Sequence, residues 1–343
     1  MSQIELENVS FTYGGDTSYE KKALDGVSVT FRSGIITGLI GHTGSGKSTL
    51  VQLLNGLLKP QSGRVLLDGK DIWADPKRIR NVRFKVGLVM QYPEYQLFDE
   101  TVRSDIAFGP RNMGMTPEET EAAVEEAARF TGLDRSLLDK SPFDLSGGQK
   151  KRVALAAVLV NPTDVLILDE PTNHLDNEMA SWLEDYLNRF KGIVIMVTHD
   201  RYFLDRVTNK ILEISHGKLY SYEAKYSEFL ELKAQREEME MASERKKQSI
   251  LRMEIEWAKR GCRARSTKQR ARLDRPEEMK NSSAPVRDTN VAIDSVETRM
   301  GKKTIELHHI SKKFGDRICI RDFDYIVLKN QRLGIIGPNG CGK

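Results

Sequence analysis

Apolar and polar positions alternate through IELENVSF (residues 4–11) and GVSVTF (26–31), the period of half-buried strands. A continuous apolar strand, GIITGLIG (34–41), then runs through a glycine loop into an apolar helix, STLVQLLNGLL (48–58). GRVLLDG and FKVGLVMQ predict further strands within 62–90, and Thr116-Pro117-Glu118-Glu119 opens a helix predicted over 116–139. A helix from Gly147 to Val160 leads to Val165-Leu166-Ile167-Leu168, and a second such run is Ile193-Val194-Ile195-Met196-Val197. Both have the unbroken hydrophobicity of central parallel strands. Strands alternating with helices predict an α/β sheet covered on both faces.

From Glu223 to about Ala258 neither Gly nor Pro interrupts a sequence dense in Glu, Lys, Arg, Met and Leu, which predicts one long helix. Gly261 breaks it, and residues 281–303 read as a flexible connector. The pattern then recurs. Ile305-Glu306-Leu307 repeats Ile4-Glu5-Leu6, and the stretch from Leu333 to Lys343 repeats the strand and glycine loop ending at Lys47. The expected organisation is a complete domain over 1–222, a helical basic linker and connector over 223–300, and the start of a second domain over 301–343. That second domain is expected to be incomplete, because the sequence stops at its lysine.

Composition adds little until it is mapped. With 343 residues, 39% hydrophobic and 30% charged, the chain is expected to be globular, and no apolar run approaches the roughly 20 residues of a membrane span. The N-terminus carries no basic-then-apolar signal, so a cytoplasmic location is expected. Cys262, Cys319 and Cys341 lack metal-ligand spacing and read as free thiols. The net charge of +4 is concentrated: residues 233–280 hold fifteen basic and nine acidic side chains. Acids match bases early in that segment. Later in the same segment, Lys259, Arg260, Arg263, Arg265, Lys268, Arg270, Arg272 and Arg275 face only Asp274, a density suited to RNA phosphates.

The chemistry starts at Gly41-His42-Thr43-Gly44-Ser45-Gly46-Lys47-Ser48-Thr49, which matches GxxxxGK[ST] between a predicted strand and helix. Glycines let backbone N–H groups approach phosphate oxygens, and the helix N-terminus adds partial positive charge. Lys47 is expected to reach the β and γ phosphates of ATP, and Ser48 to ligate Mg²⁺. Asp169 and Glu170 end the strand beginning at Val165. There Asp169 would hold Mg²⁺ through water, and Glu170 would accept a proton from the attacking water or orient it.

With these motifs in family order over residues 4–220, the chain resembles the ABC-type ATPases, P-loop NTPases with an α/β cassette and a helical subdomain, here about 92–160. Leu145-Ser146-Gly147-Gly148-Gln149 resembles their signature motif. The resemblance implies that it grips the γ phosphate bound to an opposing cassette, so that a second cassette is a required partner. It also implies that Tyr13 stacks on adenine, that Gln91 is the Q-loop glutamine near Mg²⁺, that Leu175-Asp176 is the D-loop, and that His199 is the switch histidine.

Two branches of the family share the chain. Gln91-Tyr92-Pro93-Glu94-Tyr95-Gln96-Leu97-Phe98 through Ile106-Ala107-Phe108-Gly109-Pro110 resembles the ATPase subunits of energy-coupling-factor importers. That implies docking on a membrane subunit, with the chain peripheral at the inner face of the cell membrane, through an exposed patch of Tyr92, Tyr95, Leu97 and Phe98. From the signature onward, Asn173-His174-Leu175-Asp176, the run His199 to Asp205, Tyr226-Ser227-Glu228-Phe229 and the basic linker resemble the ABC-F group, tandem-cassette ATPases acting on ribosomes and transfer RNA. The two resemblances meet at LSGGQ, which both branches carry. A hybrid of two genes that binds ATP and couples it to nothing is a third expectation.

Overall fold

The structure is a computed structural model in which residues 2–14, 20–92, 95–173, 175, 177–259, 303–314, 317–328 and 333–334 are described. Two sheets form the front of the chain. Strands β1 (Gln3–Tyr13), β2 (Lys21–Arg32), β4 (Ser62–Leu67) and β5 (Lys70–Asp71) make an antiparallel sheet in the order β2-β1-β4-β5. The second, six-stranded sheet runs β10-β9-β3-β8-β7-β6 and uses β3 (Ile36–Ile40), β6 (Val86–Val89), β7 (Val165–Asp169), β8 (Ile193–Val197), β9 (Lys210–Ser215) and β10 (Lys218–Tyr222). Its strands pair in parallel except β10, which returns antiparallel at the edge.

The alternating and continuous apolar patterns sort as their periods require. Ile4, Leu6, Leu24 and Phe31 from the antiparallel sheet share one core with Leu39, Ile167, Ile195 and Leu212 from the parallel sheet. Helix α1 (Lys47–Leu54) adds Leu50, Leu53 and Leu54 to that core, so the helix that follows the glycine loop is anchored by fully buried leucines.

A second core holds the helical subdomain: α3 (Val102–Met113), α4 (Pro117–Phe130) and α5 (Gly147–Leu159) bury Val102, Ile106, Val124, Ala128 and Val153 together. Thr116 caps α4 with a capping box closed by Glu119, as the sequence signalled. The helix is shorter than the predicted 116–139. It ends at Phe130, where the Thr131 hydroxyl donates to the Ala127 carbonyl at 2.9 Å and the chain turns inward to bury Leu133. The strand predicted from Phe84 begins only at Val86, because a short helix, α2 (Ile79–Lys85), lays Ile79 and Val82 on the main core at three-residue spacing.

After α6 (Asn177–Arg189) and α7 (Arg201–Val207), a second compact unit begins past Lys225 with α8 (Tyr226–Lys259), 34 residues long, close to the predicted helix. Lys233–Glu237 and Arg236–Glu240 ion pairs lie along it at i,i+4 spacing. No helix among the described residues is long and apolar enough to cross a membrane.

The internal repeat extends beyond letters. Strands β11 (Lys303–Phe314) and β12 (Arg317–Leu328) form an antiparallel hairpin. In the first hairpin the register slips between Leu6 and Val9, where the Asn8 N–H donates to Ser28 Oγ at 2.9 Å and the Gly26 N–H to Ser10 Oγ at 2.8 Å. In the second it slips between Leu307 and Ile310, where the His309 N–H donates to Asp324 Oδ1 and the Asp322 N–H to Ser311 Oγ, both at 2.8 Å. Asn8, Gly26, His309 and Asp322 all have φ between 47° and 59°. The same bulge is built twice, with a serine acceptor kept at one bond and Asp324 in place of Ser28 at the other.

Candidate functional site

The phosphate loop leaves β3 at Ile40 and enters α1 at Lys47. Gly46 caps the helix at φ 109°, a region closed to L side chains, and a Cβ there would lie 2.6 Å from the Ala23 carbonyl oxygen on β2. A Cβ on Gly41 would lie 2.4 Å from the Ile214 carbonyl oxygen. The loop is therefore pressed between β2 and β9 at Gly41 and Gly46, where a side chain has no room, so that only backbone borders the phosphate cradle there. The Ser45 hydroxyl is buried against Gly41 without a hydrogen-bond partner.

Lys47 Nζ donates to the carbonyls of Gly41 at 2.7 Å and His42 at 3.0 Å, folding its ammonium over the loop. Burial pulls its pKa below the ordinary lysine value, and the nearby carboxylates of Glu170 and Asp169 partly offset this. The Tyr13 hydroxyl lies 3.1 Å from Thr49 Oγ1, and Phe11 meets the Tyr13 ring edge-on, so the half-exposed ring stands beside the first turn of α1.

Asp169 and Glu170 sit where β7 leaves the sheet. Burial raises the Asp169 pKa, and the Glu170 carboxylate raises it further, against the opposing pull of Lys151, Lys47 and His199. Glu170 is 5% exposed and has φ 47°. Its N–H extends the ladder to the Val197 carbonyl at 2.7 Å, and its carboxylate accepts from the His199 N–H at 3.3 Å. His199 Nε2 lies 3.4 Å from the other carboxylate oxygen, so Glu170 is held at both ends by the segment leaving β8. The structure thus gathers Lys47, Asp169, Glu170 and His199 around one loop.

Ser146 caps α5, its hydroxyl accepting from the Gln149 N–H at 3.4 Å while Gln149 Oε1 accepts from the Ser146 N–H at 2.9 Å. The helix therefore presents an ordered N-terminus at Ser146, Gly147 and Gly148. Gln91 lies two residues past the end of β6, after Met90. Lys151 was not among the expected site residues. It is fully buried, and its ammonium donates to the carbonyls of Met90 at 2.9 Å and Gln91 at 3.4 Å. The signal available was the basic run Lys150-Lys151-Arg152 directly after LSGGQ, ahead of the apolar stretch Val153 to Leu159.

One expected patch is corrected. Tyr92, Tyr95 and Phe98 are more than half exposed, but Leu97 is 5% exposed because it packs into the subdomain core with Val102 and Ile106. Phe108 takes its place, meeting Phe98 edge-on at 4.8 Å. Both rings line a groove of about 520 Å³ with Arg80, Arg83, Phe84 and Asn112. Of the D-loop pair, Leu175 is described, and Asp176 lies outside the described residues. So do Arg260, Arg263, Arg265, Lys268, Arg270, Arg272 and the second glycine loop, while Lys259 closes α8.

A glycine loop feeding a helix, with a strand-end carboxylate pair beside its lysine, defines a P-loop nucleotide-binding cassette, and the capped α5 with its subdomain narrows the class. Family models described as ABC transporter match residues 24–173 and 212–293. The chain is 46% identical over 220 residues to the energy-coupling factor transporter ATP-binding protein EcfA2 of Caldanaerobacter subterraneus, covering 63% of this chain and 77% of that protein. It belongs to the ABC transporter ATPase family. It is also 38% identical over 362 residues to the uncharacterized ABC transporter ATP-binding protein YfmR of Bacillus subtilis, covering all of this chain and 57% of that protein. The energy-dependent translational throttle protein EttA of Mycobacterium tuberculosis is 34% identical over 358 residues, covering 94% of this chain and 62% of that protein. The chain thus spans about six-tenths of these two relatives. EcfA2 and EttA represent the two branches anticipated by the sequence.

Among solved structures, cbiO1 of Clostridium perfringens, part of the ABC transporter complex cbiONQ, matches with TM-score 0.58 at 36% identity over 67% of this chain and 91% of that one. A dimeric post-hydrolysis state of the cassette MJ0796 with ADP and Pi matches with TM-score 0.59 at 27% identity, over 64% of this chain and 98% of that one.

Proposed function

We propose that residues 1–222 bind MgATP on the loop 41–49 and hydrolyse it when two cassettes meet head to tail. The observation that carries this reading is the convergence of Lys47, Asp169, Glu170 and His199 on one glycine loop. Lys47 exchanges the loop carbonyls for phosphate oxygens, while Ser48, Gln91 and Asp169 serve the Mg²⁺ that arrives with the nucleotide. Water attacks the γ phosphorus, the bond to the ADP oxygen breaks, and the water's proton passes to the Glu170 carboxylate. His199 holds that carboxylate in place. Tyr13 stacks on the adenine, and the N-terminus of α5 from Ser146 to Gln149 receives the γ phosphate of the opposing cassette. The MJ0796 dimer with ADP and Pi supports both the dimer and the hydrolysis.

In this reading the chain drives import as an energy-coupling-factor type subunit, at the inner face of the membrane. The groove walled by Phe98 and Phe108 and rimmed by Arg80 and Arg83 receives a helix of the membrane subunit. Membrane pelleting with a candidate membrane subunit, in every nucleotide state, tests it. Phe98→Ala with Phe108→Ala should abolish pelleting, and absence of association by the native chain refutes the importer role.

A second reading is favoured by α8 and the repeated bulge of β11–β12: residues 223–300 act as a linker toward ribosomal or transfer RNA, and 301–343 open a second cassette. The likeness to EttA supports it. Co-sedimentation of Glu170→Gln with ribosomes in ATP should then exceed that without nucleotide, and equal sedimentation rejects it.

A further inference from the structure

Resting on the MgATP reading above, we propose that Lys151 is a positioning residue that ties the N-terminal turns of α5 to the Gln91 loop, so that displacement of one is transmitted to the other. A lysine that is fully buried is rare, and its ammonium must be compensated by hydrogen bonds and opposite charge. Lys151 obtains both: the Met90 and Gln91 carbonyls accept from Nζ, and the Asp169 carboxylate lies within its field.

The two ends of this tie are stiff. Above Gln91, the Met90 N–H is held by Gln96 Oε1 at 2.8 Å, and Gln96 Nε2 donates to the Leu88 carbonyl at 2.9 Å, so the end of β6 is braced. On the other side, Lys151 sits one turn past Gly147 in a helix whose first turn is closed by the Ser146–Gln149 capping box. A shift of the Gln91 backbone therefore reaches Ser146 through one ammonium and one rigid turn of helix. The same ammonium shares Asp169 with any divalent cation that the carboxylate holds, so cation arrival weakens its counter-charge and alters the tie at the moment the nucleotide site fills.

Lys151→Met keeps the length and packing of the side chain and removes the charge and every N–H donor; Lys151→Arg restores donors. Hydrogen–deuterium exchange of native, Lys151→Met and Lys151→Arg chains, each with and without MgATP, reads the tie directly. Without nucleotide, exchange over residues 88–92 should rise roughly tenfold or more in Lys151→Met, while residues 165–169 stay as in native. With MgATP, native residues 88–92 and 146–152 should gain protection together. In Lys151→Met the first segment should respond without the second, and Lys151→Arg should restore both. Native-like exchange at 88–92 in Lys151→Met overturns the proposal. So does a uniform rise that includes 165–169, which marks packing alone, or an undiminished response of 146–152. If MgATP fails to protect residues 41–49 in the native chain, the nucleotide reading fails instead, and the nucleotide-free comparison alone judges the tie.

Discussion

Gly46→Ala tests the phosphate loop through its weakest tolerance. Gly46 has φ 109°, and an added Cβ would lie 2.6 Å from the Ala23 carbonyl oxygen and 3.3 Å from Leu24 Cδ2. The backbone strain of a non-glycine residue there is on the order of 1–3 kcal/mol. The overlap adds about 1–3 kcal/mol, because Ala23 belongs to a strand and cannot swing aside as a long side chain can. Together roughly 2–6 kcal/mol is a large share of a stability of about 5–15 kcal/mol. The melting temperature should fall by at least about 4 °C, at roughly 2–4 °C per kcal/mol for a domain of this size. Gly34→Ala is the matched control: its φ is 79° but nothing lies within 4 Å of the added Cβ, so it carries strain without overlap. If the loop shifts to relieve the clash, its amides leave the cradle, and loss of one charge-assisted hydrogen bond weakens MgATP binding by about 10- to 100-fold. Differential scanning fluorimetry and a nucleotide titration on both variants decide it. Equal melting temperatures for the two variants, with native nucleotide affinity in Gly46→Ala, would refute the reasoning.

Three further outcomes follow from the same geometry. Glu170→Gln preserves the side-chain shape and removes the base, so turnover should fall about 10²- to 10⁴-fold with ATP still bound, as measured by phosphate release and nucleotide retention. Asp169→Asn should raise the melting temperature of the nucleotide-free chain at neutral pH: the Asp169 pKa is raised by folding, so its ionised form opposes the fold as pH climbs from the ordinary carboxylate range through the raised value. That gain should shrink as pH falls back through the same window, and a gain independent of pH contradicts the assignment. Thr116→Ala removes the α4 capping box and should cost about 0.5–2 kcal/mol, read as a shifted urea midpoint with unchanged ATP affinity.

Much of this was legible in the chain because the responsible interactions are local or periodic. The run Val165 to Leu168 has a central strand's pattern, and Gly41 to Ser48 carries its own conformational requirement, so both were found without tertiary information. The Thr116–Glu119 box announced the start of α4 in the same way. What escaped depended on contacts distant in sequence. The end of α4 is set where Leu133 meets a core built from α3 and α5, and α2 displaced a predicted strand because Ile79 and Val82 reach the main core. Leu97 looked like its aromatic neighbours, and only the packing against Val102 and Ile106 separates it from Phe98. Lys151 reads as one more surface lysine until the Met90 and Gln91 carbonyls are placed against it. The repeated bulge was visible only as Ile-Glu-Leu, since Ser10 and Ser311 are matched while Ser28 is replaced by Asp324 in the same bond.

The claim on which the rest depends is that the loop 41–49 binds MgATP through Lys47. Isothermal titration of MgATP into Glu170→Gln, in which turnover does not consume the ligand, should give one nucleotide per chain. Adding Lys47→Ala, which removes the ammonium now resting on the Gly41 and His42 carbonyls, should weaken binding by at least about tenfold. Unchanged affinity without Lys47, or no binding in its presence, would contradict the account.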